Sequence, residues 1–254
     1  MKNAKKVLFL GASGRVGPSF IEEYFKKYKM DYEIILGYHK TKPEYPLEAR
    51  KINLSNIEVL KKAMEGIDIV INFAANSNPD AEFPEILEPN IVGAYNVFEA
   101  ARQMKVKRII FASSVHSIRG YPLGYEVKHN EVPRPLNFYG ASKVFGEALC
   151  HVFSHKYGIS CLAIRIGAYV PDDKKEIVCY TREYYDYVIS QRDLAQLIHK
   201  CVVAPDEIKF GILSGISNNK RKYMDLRFTE ELVGYKPEDD AFEMCEEIKK
   251  RGKS

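Results

Sequence analysis

Apolar residues along the chain fall into short runs of two kinds, which alternate. Val7 to Leu10 is continuous, brief and followed at once by Gly11, the pattern of a strand buried on both faces. Ser19 to Tyr28 carries helical spacing. Glu33 to Gly37 and Ala49 to Leu54 read as two further strands, with a helix from Ile57 to Met64 behind them. Ile67 to Phe73 is again a continuous apolar strand. Pro84 and Pro89 bracket a short turn before a helix over 90–101 with a broad apolar face. The series continues as strand 106–114, helix 138–155, strand 159–166, helix 192–203 and strand 208–213. Strands that alternate with helices in this way predict an α/β fold: a doubly wound parallel sheet with right-handed crossovers and helices on both faces. Past Gly167 the regularity fails. Pro171 to Arg182 reads as a charged loop, Ser214 to Leu226 as polar chain, and the Lys/Glu-rich end from Glu246 as a solvated helix.

The junction of the first strand and first helix carries Gly11-Ala12-Ser13-Gly14-Arg15-Val16-Gly17, spaced G-x-x-G-x-x-G. Strand, glycine turn and helix in this order form a Rossmann-type dinucleotide site: the glycines let the backbone approach a pyrophosphate, and N–H groups at the helix start hold its charge. Gly11, Ser13, Gly14, Arg15, Val16 and Gly17 are therefore expected at a cofactor. About 20 residues on, a ribose-binding acid is the usual partner. Here the second strand delivers Tyr38, His39 and Lys40. An acid would repel a 2′-phosphate, whereas His39, Lys40 and Arg15 would neutralise one, so NADP is expected over NAD. Asn53 and Leu54 at the third strand's end, with Asn53 at the adenine edge, and Phe73, Ala74 and Ala75 at the fourth, are expected along the same crevice, since ligands bind outside the carboxyl ends of such strands. The expected division is a dinucleotide-binding core over 1–167 and a smaller substrate region over 168–254, interleaved with the last strands and helices of the same domain.

The chemistry concentrates in Tyr139-Gly-Ala-Ser-Lys143. On a helix, residues four apart share a face, so a phenol and an ammonium meet. A cation within about 4 to 6 Å favours phenolate and brings a group that ordinarily titrates near ~10 towards working pH. Ser114 ends the 106–114 strand, where it can meet Tyr139 across a substrate hydroxyl, one group holding the oxygen and the other taking its proton. The same residues also admit plainer roles, a chance helical pair and a turn-forming serine.

With 254 residues and 46% hydrophobic content the chain can bury a core of this type. A net charge of +4, from 38 basic and 34 acidic residues without a basic run, argues against a nucleic-acid partner. No stretch reaches membrane-spanning length, and the run from Val7 to Leu10 is too short for a signal peptide. Cys150, Cys161, Cys179, Cys201 and Cys245 form no C-x-x-C pair and no metal spacing. They are expected as small core residues in a reducing cytosol, with no metal.

The glycine turn, strand-end Ser114, Tyr139-x-x-x-Lys143 and the helix at Asn90 occur in the order of the extended short-chain dehydrogenase/reductase superfamily, which the chain resembles along nearly its whole length. A narrower likeness, carried by Phe111-Ala-Ser-Ser-Val-His116, Tyr139 to Glu147, Ile164-Arg-Ile-Gly167 and Leu232 to Pro237, is to uronate dehydrogenase and archaeal glucose-6-phosphate dehydrogenases. That resemblance implies oxidation at C1 of a sugar (aldose, uronate or sugar phosphate) to a lactone, with hydride passing to a nicotinamide cofactor. Ser114, Tyr139 and Lys143 would be catalytic, Asn90 and Ile166 would lie beside the cofactor, and Ser77, Val115 and His116 would face the sugar. The chain departs at Val115 and Ala168, where uronate dehydrogenase has Asn and Ser, and its carboxylate-binding arginine has no clear counterpart. Arg119, Lys174, Lys175 and Arg182 are alternative cations for an anionic sugar. A nucleotide-sugar 4-epimerase or dehydratase, and a non-catalytic NAD(P)-binding protein, are the other readings. The apolar faces of helices 90–104 and 138–155 resemble those that pair in dimers of this superfamily, implying a homodimer.

Overall fold

A computed structural model describes residues 4–179 and 182–251. In chain order the elements are β1 (Lys5–Leu10), α1 (Gly17–Glu23), which runs on as a wider π-type turn at Tyr24–Tyr28, β2 (Tyr32–Tyr38), β3 (Ala49–Lys51), α2 (Ile57–Ala63) and β4 (Ile69–Asn72). Then come α3 (Phe83–Ile86), a π-type stretch at Leu87–Val92, α4 (Gly93–Gln103), β5 (Arg108–Ser114), α5 (Phe138–Tyr157) and β6 (Ser160–Ile166). The remainder comprises β7 (Ala168–Val170), 3-10 segments at Asp172–Cys179 and Arg182–Tyr187, β8 (Val188–Ser190), α6 (Gln191–Val203), β9 (Phe210–Gly215), α7 (Arg227–Val233) and α8 (Ala241–Arg251).

Seven strands form one parallel sheet in the order β3-β2-β1-β4-β5-β6-β9. Alternation along the strands explains the continuous apolar runs. Val7 and Phe9 of β1 pack on the layer that holds α1 and α6, while Leu8 and Leu10 pack on the layer of α2, α4 and α5. With helices on both faces, neither side of a central strand can be polar. The chain reverses direction across the sheet between β1 and β4, and the crevice outside those strand ends is where a doubly wound sheet takes its ligand. Residues 168–251 supply α6 and β9 to these layers. They also supply a parallel pair, β7 with β8, and the two last helices at the carboxyl end.

Several expectations are corrected. Pro84 and Pro89 do not bracket a turn: chain 83–103 is helical throughout, with Pro84 in the first turn of α3. Pro89, which has no N–H to donate, sits inside the π-type stretch, whose closing bond runs from Gly93 N–H to Glu88 O. β3 stops at Lys51 rather than Leu54, because Asn53 Oδ1 turns the chain by accepting Ser55 N–H at 3.0 Å and Asn56 caps α2. Within the expected 171–182 loop, Asp172–Cys179 is 3-10 helix, held by a Lys175–Asp172 pair and by Val178 buried against Val170, Tyr185 and Val188. Ser214 and Gly215 belong to β9, α7 was not expected, and the last helix begins at Ala241 rather than Glu246. Cys150, Cys161 and Cys201 are buried thiols, but Cys179 and Cys245 are joined as a disulfide with Cα atoms 5.2 Å apart. Packing of α8 against the 172–179 segment brings these two distant positions together, which spacing in the sequence does not reveal. No helix among the described residues is long and apolar enough to cross a membrane.

Candidate active site

β5 ends in Ser113 and Ser114, and the chain turns there through a short 3-10 segment, Val115–Ser117. Ser114 Oγ accepts His116 N–H at 3.2 Å, while Ser117 Oγ donates to Ser114 O at 2.8 Å. The turn-forming role is thus real, and it leaves the Ser114 O–H proton free to be donated elsewhere. α5 begins beside this turn because Asn137 caps it: Asn137 Oδ1 accepts Gly140 N–H at 2.7 Å. The same amide sets its Nδ2 3.2 Å from His116 Nδ1. With Nδ2 as donor, the imidazole proton rests on Nε2. One residue therefore fixes both the start of α5 and the ring of His116.

From that first turn, Tyr139 and Lys143 project into the ends of β5 and β6. The phenol is a hydrogen-bond neighbour of Ser114. Burial raises its pKa, and the Ser114 contact and the charge of Arg15 oppose the rise. Lys143 Nζ lies 5.4 Å from the Tyr139 ring centre and 5.3 Å from that of Phe111. Burial pulls this amine down to about 8. His116 meets Tyr139 edge to face at 5.5 Å, and its own pKa is lowered, first by burial and then by the Arg119 charge.

These groups open onto a cleft of about 460 Å³ that runs from the glycine turn to β7 and β8. Gly11, Gly14, Arg15, Val16, Phe73, Ala75 and Ile166 line it together with Ser77, Ser114, Val115, His116, Tyr139 and Lys143. Gly11 has φ +91°, and a Cβ there would press on the Phe73 carbonyl carbon at 2.7 Å. A Cβ on Gly17 would collide with Ala12 O, so that glycine serves the packing of α1 on β1. Val16 offers α1 no side-chain cap; Gly17 N–H bonds Gly14 O at 3.2 Å and Pro18 has no N–H, so Ser19 carries the N–H of this turn that is not spent on the backbone. The glycine turn and the small residues at the β4 end fit a dinucleotide.

The remaining predicted residues stand apart from this cleft. His39 and Asn53 line a second cavity of about 900 Å³ with Ile52, Val59 and Lys62, while Lys40 is exposed beside it. Ser13 is exposed and 3.5 Å from Thr41 O, Leu54 packs under α4 at Gly93, and Ala74 lies against Gly11. Two expectations need correction. Arg15 does not turn towards His39; its guanidinium donates to Tyr169 O on β7 at 3.1 Å, drawn there by an acceptor over the cleft. Asn90 is absent from the cleft lining, and its side chain is bonded within the protein. Its Oδ1 accepts Asn76 N–H at 2.7 Å, and its Nδ2 donates to Asn76 O and Ser142 Oγ at 2.9 and 3.1 Å. It is a clamp between the β4 loop and α5. Of the four cations considered for an anionic sugar, Arg119 lines the cleft, Lys174 and Lys175 are exposed, and the side chain of Arg182 lies outside the described residues. Pattern reading did not find the cleft walls Pro79, Tyr169, Ile177, Tyr184 and Tyr187, which come from irregular chain without periodicity.

Fold and cleft are those of a doubly wound protein with a dinucleotide-type glycine turn at its central strand ends and Tyr139 in the same cleft. The chain belongs to the NAD dependent epimerase/dehydratase family, whose model matches residues 7–171. It is 34% identical to a uronate dehydrogenase of Pseudomonas putida over 93% of this chain and 85% of that one. It is 29% identical to L-arabinose 1-dehydrogenase (NAD(P)(+)) of Haloferax volcanii, over 95% of this chain and 99% of the relative. A solved mutant of a uronate dehydrogenase from Agrobacterium tumefaciens, complexed with NAD, superposes with a TM-score of 0.83 at 28% identity, covering 97% of this chain and 89% of that one.

Proposed function

We propose that the protein is an NAD(P)-dependent sugar dehydrogenase that oxidises C1 of a sugar to the lactone. The observation that carries this reading is the convergence of Ser114, Tyr139 and Lys143 in one cleft with the glycine turn. The relatives named as dehydrogenases of uronate and L-arabinose support it. A nicotinamide dinucleotide, when bound, accepts the hydride given up by the sugar carbon. Tyr139 takes the proton of the anomeric hydroxyl, Ser114 holds that oxygen by its free O–H, and the Lys143 charge favours the phenolate. Gly11, Gly14 and Val16 position the pyrophosphate by their backbone. Residues 168–254 wall the sugar end. The test is a panel of aldoses, uronates and sugar phosphates with each cofactor, read by cofactor reduction and lactone formation. Epimerisation of a UDP-sugar without net cofactor change, or tight cofactor binding with no turnover of any sugar, would replace this reading by one of its rivals.

For the cofactor we propose NADP over NAD, on His39 and Lys40 alone. β2 ends at Tyr38 with no acid at the next two positions, and the His39 and Lys40 side chains are both exposed there. An exposed pair contributes at most ~1 kcal/mol, whereas a charge-assisted bond to phosphate contributes roughly 1.5 to 3, so a preference of about tenfold is expected. Titration of both cofactors on wild type and on His39→Asp/Lys40→Ala should show the preference lost in the double variant and weakened by salt. A wild type that prefers NAD would show these residues to be surface charge.

We also propose a homodimer. Phe83, Leu87, Val92 and Tyr95 on the α3–α4 helix and Phe138 and Val152 on α5 are exposed, each more than 40% accessible. Phe83 and Phe138 meet at 5.9 Å, which joins the two helices into one apolar face. Light scattering at micromolar concentration is expected to give the mass of two chains, and a monomer mass would exclude this use of the face.

A further inference from the structure

The cleft lining holds a cation that the proton-transfer chemistry does not use. Arg119 follows the short segment after β5, and its guanidinium carbon lies 4.7 Å over the ring of Tyr187 and 5.7 Å over that of Tyr223. Those rings are themselves fixed. They are almost wholly buried, lie 5.7 Å from one another, and the Tyr223 hydroxyl donates to Ile118 O and Tyr121 O, both at 2.9 Å. A guanidinium held by its faces keeps its edge N–H groups for in-plane partners. Among the described residues, no carboxylate pairs with it, although nearby arginines do find acids, Arg221 with Asp186 and Arg227 with Asp225. The chain thus orients a half-buried cation along the cleft, beside His116 and on the wall that includes Ile177 and Tyr187, and leaves its donors unspent.

We infer that Arg119 is the specificity-determining residue of this cleft, binding an anionic substituent, carboxylate or phosphate, on the sugar at the end remote from C1. This rests on the dehydrogenase reading for which carbon reacts, but not for the binding of the anion. Lys143 and Arg15 also line the cleft, yet Lys143 is against the Tyr139 ring and Arg15 is bonded to Tyr169 O. Arg119 is the lining cation that remains for the substrate. Its charge also accounts for part of the lowered pKa of His116, which places that charge within reach of the same small region.

The experiment compares D-glucose, D-glucuronate and D-glucose 6-phosphate on wild type, Arg119→Gln and Arg119→Lys, by steady-state kinetics and by calorimetry with each sugar. Wild type is expected to favour one of the two anionic sugars over glucose, and which of them it favours tells carboxylate from phosphate. Arg119→Gln should raise KM and Kd for that anion at least about 30-fold, in line with loss of a charged hydrogen bond, with kcat and the values for glucose changed less than about threefold. Arg119→Lys should recover part of the preference, which a merely structural role would not allow. Equal losses for neutral and anionic sugars, an anion preference that survives Arg119→Gln, or a wild type that prefers glucose, would overturn the inference. Should calorimetry show anion binding that depends on Arg119 while no sugar is oxidised, the inference stands and the dehydrogenase reading falls.

Discussion

Replacing Tyr139 by Phe is expected to lower kcat for sugar oxidation about 10³-fold, within the usual range for a positioned acid–base group, while KM for the sugar and Kd for the cofactor change little. The Tyr139 side chain is half-buried and Phe keeps its ring, so the variant loses only the hydroxyl. Retention of near wild-type kcat would remove Tyr139 from the chemistry. The pH dependence follows from the pair rather than from Tyr139 alone. Burial raises the phenol above its ordinary value and lowers Lys143 to about 8, so of the two it is the lysine that releases a proton first on average. The active state needs one proton fewer than the fully protonated pair, and groups this close share that loss. kcat/KM should therefore rise with pH through a midpoint near 8 and hold until the phenol range is reached. In Lys143→Met the cation that favours phenolate is gone, and the rise should move to higher pH as well as shrink. A midpoint unmoved by that substitution would separate Lys143 from the titration.

What the sequence shows and what it conceals divide along locality. β1, β4 and β5 are legible because burial on both faces makes each an unbroken apolar run, and Tyr139 and Lys143 because a helix joins positions four apart. Ser114 follows from its place at a strand end. The glycine turn was legible in kind, but its side chains were not: Arg15 was expected over the ribose and bonds to Tyr169 O instead, a partner 154 positions away. Asn90 gave the sequence a motif position but not its task, since its three bonds go to Asn76 and Ser142. The sugar end is least legible. Arg119, Tyr187 and Tyr223 come from three separate stretches, after β5, before β8 and before α7, and no periodic pattern marks any of them. Pro89 misled in the opposite direction, because a π-type stretch accommodates a residue that ordinarily ends a helix.

The second large effect is expected one helical turn beyond Lys143, where Glu147→Gln should destabilise the fold by about 3–5 kcal/mol, the range for breaking a buried ion pair from one side. Glu147 and Arg165 are each 3% exposed. Arg165 donates to both carboxylate oxygens at 2.8 and 2.9 Å, and Ser113 Oγ donates to Glu147 Oε1 at 2.6 Å. The three residues belong to α5, β6 and β5, so this bidentate pair with its third donor ties α5 to the two strands whose ends line the cleft. Gln preserves the shape but removes the charge, leaving a guanidinium in the core with no counter-ion and one donor facing another. The cost lies in the uncompensated Arg165 rather than in the worth of the pair itself. Glu147→Leu/Arg165→Met, which removes both charges, should therefore recover most of the loss, and the double-mutant cycle should show strong coupling. Urea unfolding of wild type, the single variants and the double variant measures this directly. If Glu147→Gln unfolds within about 1 kcal/mol of wild type, as an exposed pair would allow, the triad does not carry α5. If the double variant is as weak as the single one, the loss is one of packing, and the charge argument is wrong.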